Sequence, residues 1–455
     1  MAIFPCNPWP ISLVIPEIHI SVAITFLFIY IFTTKTALNT IPLNKRKIVN
    51  DPVYGFISIP FEIVFDLIEH PYFQRLRRIR QLGLTHFVYP GANHTRFQHA
   101  MGAMHLMDSA IEVIRSKGHE ITPEEAEAVT IAIILHDIGH GPFSHSLEHS
   151  IIEGIDHEEI SLLFMHRLNE IFEGRLSLAI RIFTNNYPKN FLHQLVASQL
   201  DMDRLDYLRR DSFFTGVTEG VVGSERIIKM LNVKADQLVV EIKGIYSIEK
   251  FLIARRLMYW QVYFHKTVIA AENLLIKTLQ RAKFLALKGE DLFATPALKY
   301  FLENRIDKST FSNAEVDILE LFSQLDDNDI FTSAKVWINH SDKVLSNLCM
   351  GLINRKLFKI TISNVKIAPS KINMVKEKIA KYYNTSEEDT AFLMANGEIS
   401  NYAYNSLDDN IKILLKTGDT IDITEASELF DLSILSRNVS KYFLCYPKGI
   451  DGALE

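Results

Sequence analysis

Cysteine is nearly missing from this 455-residue chain, which carries only Cys6, Cys349 and Cys445. Three widely separated thiols supply neither a disulfide framework nor a thiolate metal site, and they suit a reducing cytoplasm. A basic surplus is missing too. The formal charge is −6, whereas a nucleic-acid binder needs cations to neutralise phosphates, so no specific nucleic-acid binding is expected. Internal repeats and low-complexity tracts do not occur, and a hydrophobic share of 48% with 29 Phe excludes a chain dominated by disorder. One local absence points the other way. From His70 to Met107 there is no Asp or Glu, while Arg75, Arg77, Arg78, Arg80 and Arg96 all fall there. Such a run is either a solvated helix face or a seat for a small polyanion.

The first feature that is present is an apolar run from Ile11 to Phe32, about long enough to cross a bilayer. Pro16, Glu17 and His19 interrupt it, and no basic residue precedes it, so it is a poor signal peptide. Two explanations stand. It is a membrane anchor, with Lys35, Lys45, Arg46 and Lys47 holding the rest of the chain in the cytoplasm. Or the start codon is placed too early, and the native protein begins near Leu43 or Asn44. Residues 1–43 are therefore set apart from a helical body over 44–353 and a small unit over 354–455.

In the body, apolar spacing predicts a helix from about Thr95 to Gly118, on which His99, Gly102, Ala103, Leu106 and Ala110 share a face. In "ITPEEAEAVTIAIILHDIGHG", Thr122 reads as the N-cap, Pro123 as the first helical residue and Glu125 as the partner in a capping box. Gly139 and Gly141 end that helix just after His136 and Asp137. Asp156 as N-cap and Glu159 as its capping-box partner mark a third start. "LHQLVASQLDMDRLDYLRRDSFFTG" reads as a fourth helix, and "SIEKFLIARRLMYWQVYFHKTVIAAENLLIKTLQRAKFLAL" as one long one. Beyond Asn354 come short alternating runs, "KLFKITIS", "TAFLMA", "IKILLK" and "KYFLCYPK", around a helix near Ile372 to Tyr383. The expected fold is mainly α, a helical core with a small C-terminal α+β subdomain.

A single histidine on an apolar helix is more often a satisfied core residue than a ligand. Here His99, the adjacent pair His136 and Asp137, and Asp203 recur on successive apolar helices. Burying that many ionisable groups without a compensating ion is costly. Two imidazoles and two carboxylates suit Mg, Mn, Fe or Zn, with positions left for water or a phosphate oxygen. Neighbours on a regular helix point about 100° apart, so His136 and Asp137 share an ion only near a helix end, which the glycines provide.

The ordered series "HTRFQHAMG", "LHDIGHGPFSH", "DHEE" and "DMDRLDYLRRD" resembles the successive signatures of the HD-domain phosphohydrolases, within them the deoxynucleoside triphosphate triphosphohydrolase branch. The resemblance is dense from Lys47 to Lys283 and weak beyond. It implies a helical HD-domain core and a divalent metal on His99, His136, Asp137 and Asp203. It implies that His140, His145 and His157 line the phosphates, with His157 as general acid and Glu158 orienting it. Arg96, Arg204 and Tyr207 would contact the triphosphate, and Asp211 and Tyr263 the sugar. Gln81 and Leu82 would pack near the 3′-hydroxyl, with Arg255 and His265 close to the base or tail. Arg204 stands where a human member has Lys, which keeps charge but changes geometry. His149 has no counterpart role and reads as a helix-face residue.

The reaction implied is hydrolysis of a dNTP, dGTP or a broad set, to deoxynucleoside and triphosphate. Relatives bind an activating nucleotide at a second site, whose counterparts here are Lys47, Asn50, Glu69, Arg75 and Arg77; Glu69 replaces a guanine-reading Asp. Relatives also assemble, so a homo-oligomer is expected. Two alternatives remain. The first is a phosphohydrolase acting on a monophosphate or cyclic dinucleotide, with His140, His145 and His157 on a second metal; the second is a non-catalytic nucleotide sensor.

Overall fold

The computed structural model describes residues 47–143, 150, 152–312, 316–401, 404, 410–427 and 439–453. The run 11–32 and all of 1–43 lie outside the described residues, as do His145 and His149. Among the described residues no helix is long and apolar enough to cross a membrane.

The protein is mainly α. A hairpin of β1 (Ile48–Asp51) and β2 (Gly55–Ser58), with Ile48 opposite Ser58, leads into α1 (Glu62–Glu69). Central to the body is α2 (Arg96–Ser116), where Gln98 accepts a hydrogen bond from the Thr95 N–H at 2.9 Å to close the N-terminus. His99, Ala103, Leu106 and Ala110 are buried as their spacing predicts. α2 packs against α3 (Pro123–Leu135), which is apolar all round and starts with the expected capping box of Thr122 and Glu125. In α4 (His157–Ile171) only half of the expected box forms: Asp156 accepts from the Glu159 N–H at 2.8 Å, but the Glu159 carboxylate pairs with Lys308.

Two of the expected helices are interrupted. After α5 (Ser177–Phe183), the fourth divides into α6 (Asn190–Val196) and α7 (Met202–Thr215). The break is made by Asp201, fully buried, whose carboxylate accepts from the N–H groups of Ser198 at 2.8 Å and Arg204 at 2.7 Å, as an N-cap does. The long helix divides into α8 (Ile245–Met258) and α9 (Lys266–Leu287) across a π-helical turn at Tyr259–Tyr263. There His265 caps α9, its Nδ1 accepting from the Thr267 N–H at 3.2 Å.

Among the elements with no counterpart in the sequence is the hairpin of β3 (Leu231–Lys234) and β4 (Gln237–Glu241). Its turn places Ala235 and Asp236 at φ 50° and 56°, the left-handed pair a primed turn requires, without the Asn-Gly signature that announces one.

After α10 (Asp327–Trp337) and α11 (Lys343–Ile353), strands form at β5 (Lys359–Ser363), β6 (Ala395–Asn401), β7 (Lys412–Leu414), β8 (Thr420–Asp422) and β9 (Val439–Tyr446), with α12 (Pro369–Tyr383) between the first two. "TAFLMA" contributes only its last residue to β6, because a short helix, Glu387–Thr390, precedes it. β9 lies antiparallel between β5 and β6. β7 instead pairs in parallel with β4, Ile413 opposite Val240, in a sheet ordered β8-β7-β4-β3.

Candidate active site

Three helices deliver the metal-type donors. α2 carries His99, the C-terminal end of α3 carries His136 and Asp137, and the first turn of α7 carries Asp203. His136 Nδ1 lies 2.6 Å from the Ile133 carbonyl oxygen, which can only accept, so that nitrogen donates. His99 Nδ1 likewise donates to Asp206 Oδ2 at 2.8 Å. Both Nε2 atoms are thereby left with lone pairs. They are buried, make no hydrogen bond, and lie 3.1 and 3.5 Å from Asp203 Oδ1. The donor atoms of His99, His136 and Asp203 fall within 4.8 Å of one another. An imidazole with its far nitrogen tied to an oxygen is how proteins orient a metal ligand, and this donor set fits a divalent cation.

The electrostatics agree. Burial opposes charge on both rings, yet Asp203 and Asp206 push His99 up to about 10, and Asp137 with Asp203 pushes His136 up to about 9. Burial also works against Asp203, but the adjacent His136 and His99 rings hold it well below the usual carboxylate range. Positive charge is demanded here, as protons on imidazoles or as a cation between neutral ones. Asp137 borders the same point, 3.4 Å from His136 Nε2 and 3.8 Å from His99 Nε2, and also accepts from Arg96 at 2.5 Å.

Behind His99 lies a network the sequence did not disclose. Asp206 accepts from Arg210 Nε at 2.9 Å, and Arg210, fully buried, also donates to Asp51 at 2.7 Å. Gly102 makes room for it: a Cβ there would overlap the Asp206 carboxylate and the Arg210 guanidinium.

On one side the donors open into a cavity of about 780 Å³ lined by His136, Asp137, His157, Glu158, Asp203 and Arg204 among others. His157, first residue of α4, stacks face to face on His140, ring centroids 3.9 Å apart, and His140 Nε2 lies 3.4 Å from Asp137. Gly139 allows this approach; its N–H donates to Ser161 Oγ at 2.9 Å, and a Cβ would overlap the backbone at His157 and Ser161. Asp137, His140 and His157 form a second group with metal-ligand spacing. Burial, then Arg96, pushes His140 well below the ordinary imidazole range. Arg204 pairs with Asp201, whose carboxyl is pushed up to about 6 by burial.

A second cavity, about 460 Å³, is lined by Gln81, Leu82, Arg96, Tyr207, Asp211 and Tyr263, with Tyr259, Phe264 and Glu272. Asp211 accepts from Tyr263 Oη and from His94 Nε2, each at 2.8 Å, and His94 stacks on Phe214. His94 was not singled out in the sequence; its place as the first residue of "HTRFQH" was the available signal. The Gln81 loop is held by Asp327, which accepts from the N–H groups of Arg80 at 3.0 Å and Phe143 at 2.9 Å. Arg255 and His265 do not line this cavity. Arg255 donates to Gln199 at 3.1 Å, and His265 is turned to its capping role.

Of the residues expected to hold an activator, Lys47, Asn50, Glu69 and Arg77 are exposed. Arg75 is not among them at the surface. It is fully buried, donates to the Ile138 carbonyl at 2.7 Å, and lies over the rings of Phe322 and Phe164. Its charge serves the backbone beside Asp137. Arg77 donates to Gln74 and covers Phe97.

Comparison with known proteins agrees with this geometry. The HD domain family model matches residues 96–211, and that of the HD associated region matches 222–291. A phosphohydrolase from Bacteroides thetaiotaomicron VPI-5482, solved by crystallography, is 56% identical with a TM-score of 0.85, over 88% of this chain and 99% of that one. The uncharacterised protein YwfO of Bacillus subtilis (strain 168) is 30% identical over 90% of this chain and 94% of its own. A deoxynucleoside triphosphate triphosphohydrolase SAMHD1 homolog of Dictyostelium discoideum is 29% identical over 74% of this chain and 64% of its own. With its paired imidazole lone pairs facing a carboxylate between two cavities, the chain belongs to the HD-domain phosphohydrolase family.

Proposed function

We propose that this protein hydrolyses deoxynucleoside triphosphates at the α-phosphorus, releasing deoxynucleoside and inorganic triphosphate. The observation that carries the proposal is the convergence of the His99 and His136 lone pairs with Asp203 beside a cavity rich in His and carboxylates, whose Asp137 is bonded to Arg96 of the aromatic cavity. The name of the Dictyostelium relative supports it. His99, His136, Asp137 and Asp203 would hold the divalent cation. When bound, such an ion neutralises phosphate oxygens and lowers the pKa of water.

The chain's own residues supply the rest. Arg96, pinned against Asp137, presents a fixed cation to the phosphates, and Arg204 and Tyr207 flank them. His140, kept uncharged by burial, donates a hydrogen bond to a phosphate oxygen without repelling Arg96; His145 would serve the phosphates too. His157 sits at the N-terminus of α4, where a helix favours an anion. As the water oxygen bonds to phosphorus and the bond to the 5′-oxygen breaks, His157 gives that oxygen a proton, with Glu158 orienting the ring. Asp211 and Tyr263 hold the sugar, Gln81 and Leu82 meet its 3′ side, and Arg255 and His265 act from behind the cavity walls. An activating nucleotide at Lys47, Asn50, Glu69 and Arg77, and a homo-oligomer, belong to the same proposal.

The group Asp137, His140 and His157 favours a second reading, a two-metal phosphohydrolase acting on another nucleotide. One assay separates them. Purified protein with each dNTP and Mg or Mn should release triphosphate, with about one metal per chain. Pyrophosphate or phosphate from every dNTP, with two metals per chain, overturns the proposal.

A further inference from the structure

The aromatic cavity holds two carboxyl groups. Asp211 has both oxygens engaged, by His94 and Tyr263. Glu272, on α9, has neither: among the described residues it makes no hydrogen bond and no ion pair, while its neighbour one turn on, Ile276, lines the same wall. Arg96, the cation lining the cavity, is committed to Asp137. Half-buried on the cavity wall, this carboxyl has no donor from the chain and is free to accept hydrogen bonds from a molecule in the cavity.

We infer that Glu272 reads the substrate base, accepting two hydrogen bonds from the guanine N1–H and exocyclic N2–H while Tyr259 and Phe264 supply aromatic surface. This rests on the proposed dNTP activity and names its specificity. A triphosphate is excluded as the partner by like charge, so the carboxyl must face the nucleoside. Among the bases only guanine offers two adjacent donors on its pairing edge; adenine and cytosine offer a donor beside an acceptor, and thymine a single donor between two acceptors. Tyr259 and Phe264 have ring centroids 5.6 Å apart and both line the cavity, so a planar base finds an aromatic wall. Burial pushes the free carboxyl up to about 7, and two donors from a bound base would favour its ionised, accepting form.

The test compares wild type, Glu272→Gln and Glu272→Leu by kcat/KM for triphosphate release from the four dNTPs, and by equilibrium binding of deoxyguanosine and deoxyadenosine. Wild type should prefer dGTP to dATP by about 10- to 100-fold, the discrimination one bidentate contact carries. Glu272→Gln, whose amide pairs with a donor–acceptor edge, should reverse that order. Glu272→Leu should remove it, with a far-UV circular dichroism spectrum and thermal midpoint matching wild type as proof of folding. Unchanged base ratios in both variants, or no guanine preference in wild type, overturn the assignment of Glu272 and leave the dNTP activity standing. Absence of triphosphate from every dNTP defeats the underlying activity instead. The nucleoside arm then decides alone: deoxyguanosine bound more tightly than deoxyadenosine, and less so in Glu272→Gln, upholds Glu272, and equal binding overturns it.

Discussion

The two ends of α3 follow opposite rules. At its N-terminus the buried carboxylate is fully engaged: the Thr122 N–H donates to Glu125 at 2.8 Å, and Tyr187 and Lys189 donate to the same carboxylate at 2.7 and 2.8 Å. At its C-terminus His136 and Asp137 meet His99, Asp203 and His140 with two imidazole lone pairs unanswered. A similar closure recurs far from the cavities, where Arg281 donates to Asp342 and Asp389 between the rings of Phe284 and Phe392. Closed networks of buried charge hold elements together. A network that ends on an open valence holds something else, and that difference, rather than the number of buried charges, marks the site.

The largest effect comes from removing the open end. The double variant His136→Ala, Asp137→Ala should lose bound metal and lower turnover by at least about 1,000-fold, since a metal contributes several kcal/mol of charge stabilisation. Elemental analysis and an activity assay check it. If turnover persists, the open end is not the reaction centre. Next is the packing that joins closed to open. Gly102→Ala forces a methyl into the Asp206–Arg210 pair, and overpacking at such a point costs about 3 kcal/mol. Denaturant unfolding should show that loss, together with weaker metal retention, because His99 is oriented by Asp206.

The contrast also explains what could be read from the amino-acid sequence. The capping box of α3, the N-cap of α4, and the placement of His99 and His136 on apolar helices depend on neighbours three or four residues away, and such spacing is visible. The break at Asp201 was hidden because Asp at a helix start and Asp inside a charged helix look alike. The β3–β4 hairpin was hidden because Ala235 and Asp236 occupy left-handed angles with no glycine to advertise them. Arg75 read as one of a basic run, but its burial is decided by Phe164 and Phe322, remote in sequence. Partners such as Asp206 for His99, or His94 for Asp211, are chosen by tertiary packing, and so is the isolation of Glu272.

A smaller effect separates the two network types directly. Asp206→Asn keeps the shape but weakens the acceptor behind His99, and should lower metal affinity by about 10- to 100-fold. Arg281→Met, in a closed network, should lower thermal stability while leaving metal affinity unchanged. Metal titration of both variants checks the pair; equal loss of affinity in the two would erase the distinction.

The smallest effect tests the closed end of α3 through pH. Burial raises the Glu125 carboxyl, but the bonds from Lys189, Tyr187 and Thr122 outweigh it and hold the group below its ordinary value of 4.5. A carboxyl depressed on folding stabilises the protein fully above its unfolded value, and that contribution is lost as pH falls through the folded one. Glu125→Gln should therefore cost about 1 kcal/mol at pH 7, and the gap from wild type should close as pH drops below 4.5. Urea unfolding at a series of pH values measures it. Metal affinity should not move, because nothing at this end of the helix touches His136 or Asp137. A shift in metal affinity would mean that the two ends are coupled along α3, and that the closed network also sets the geometry of the open one.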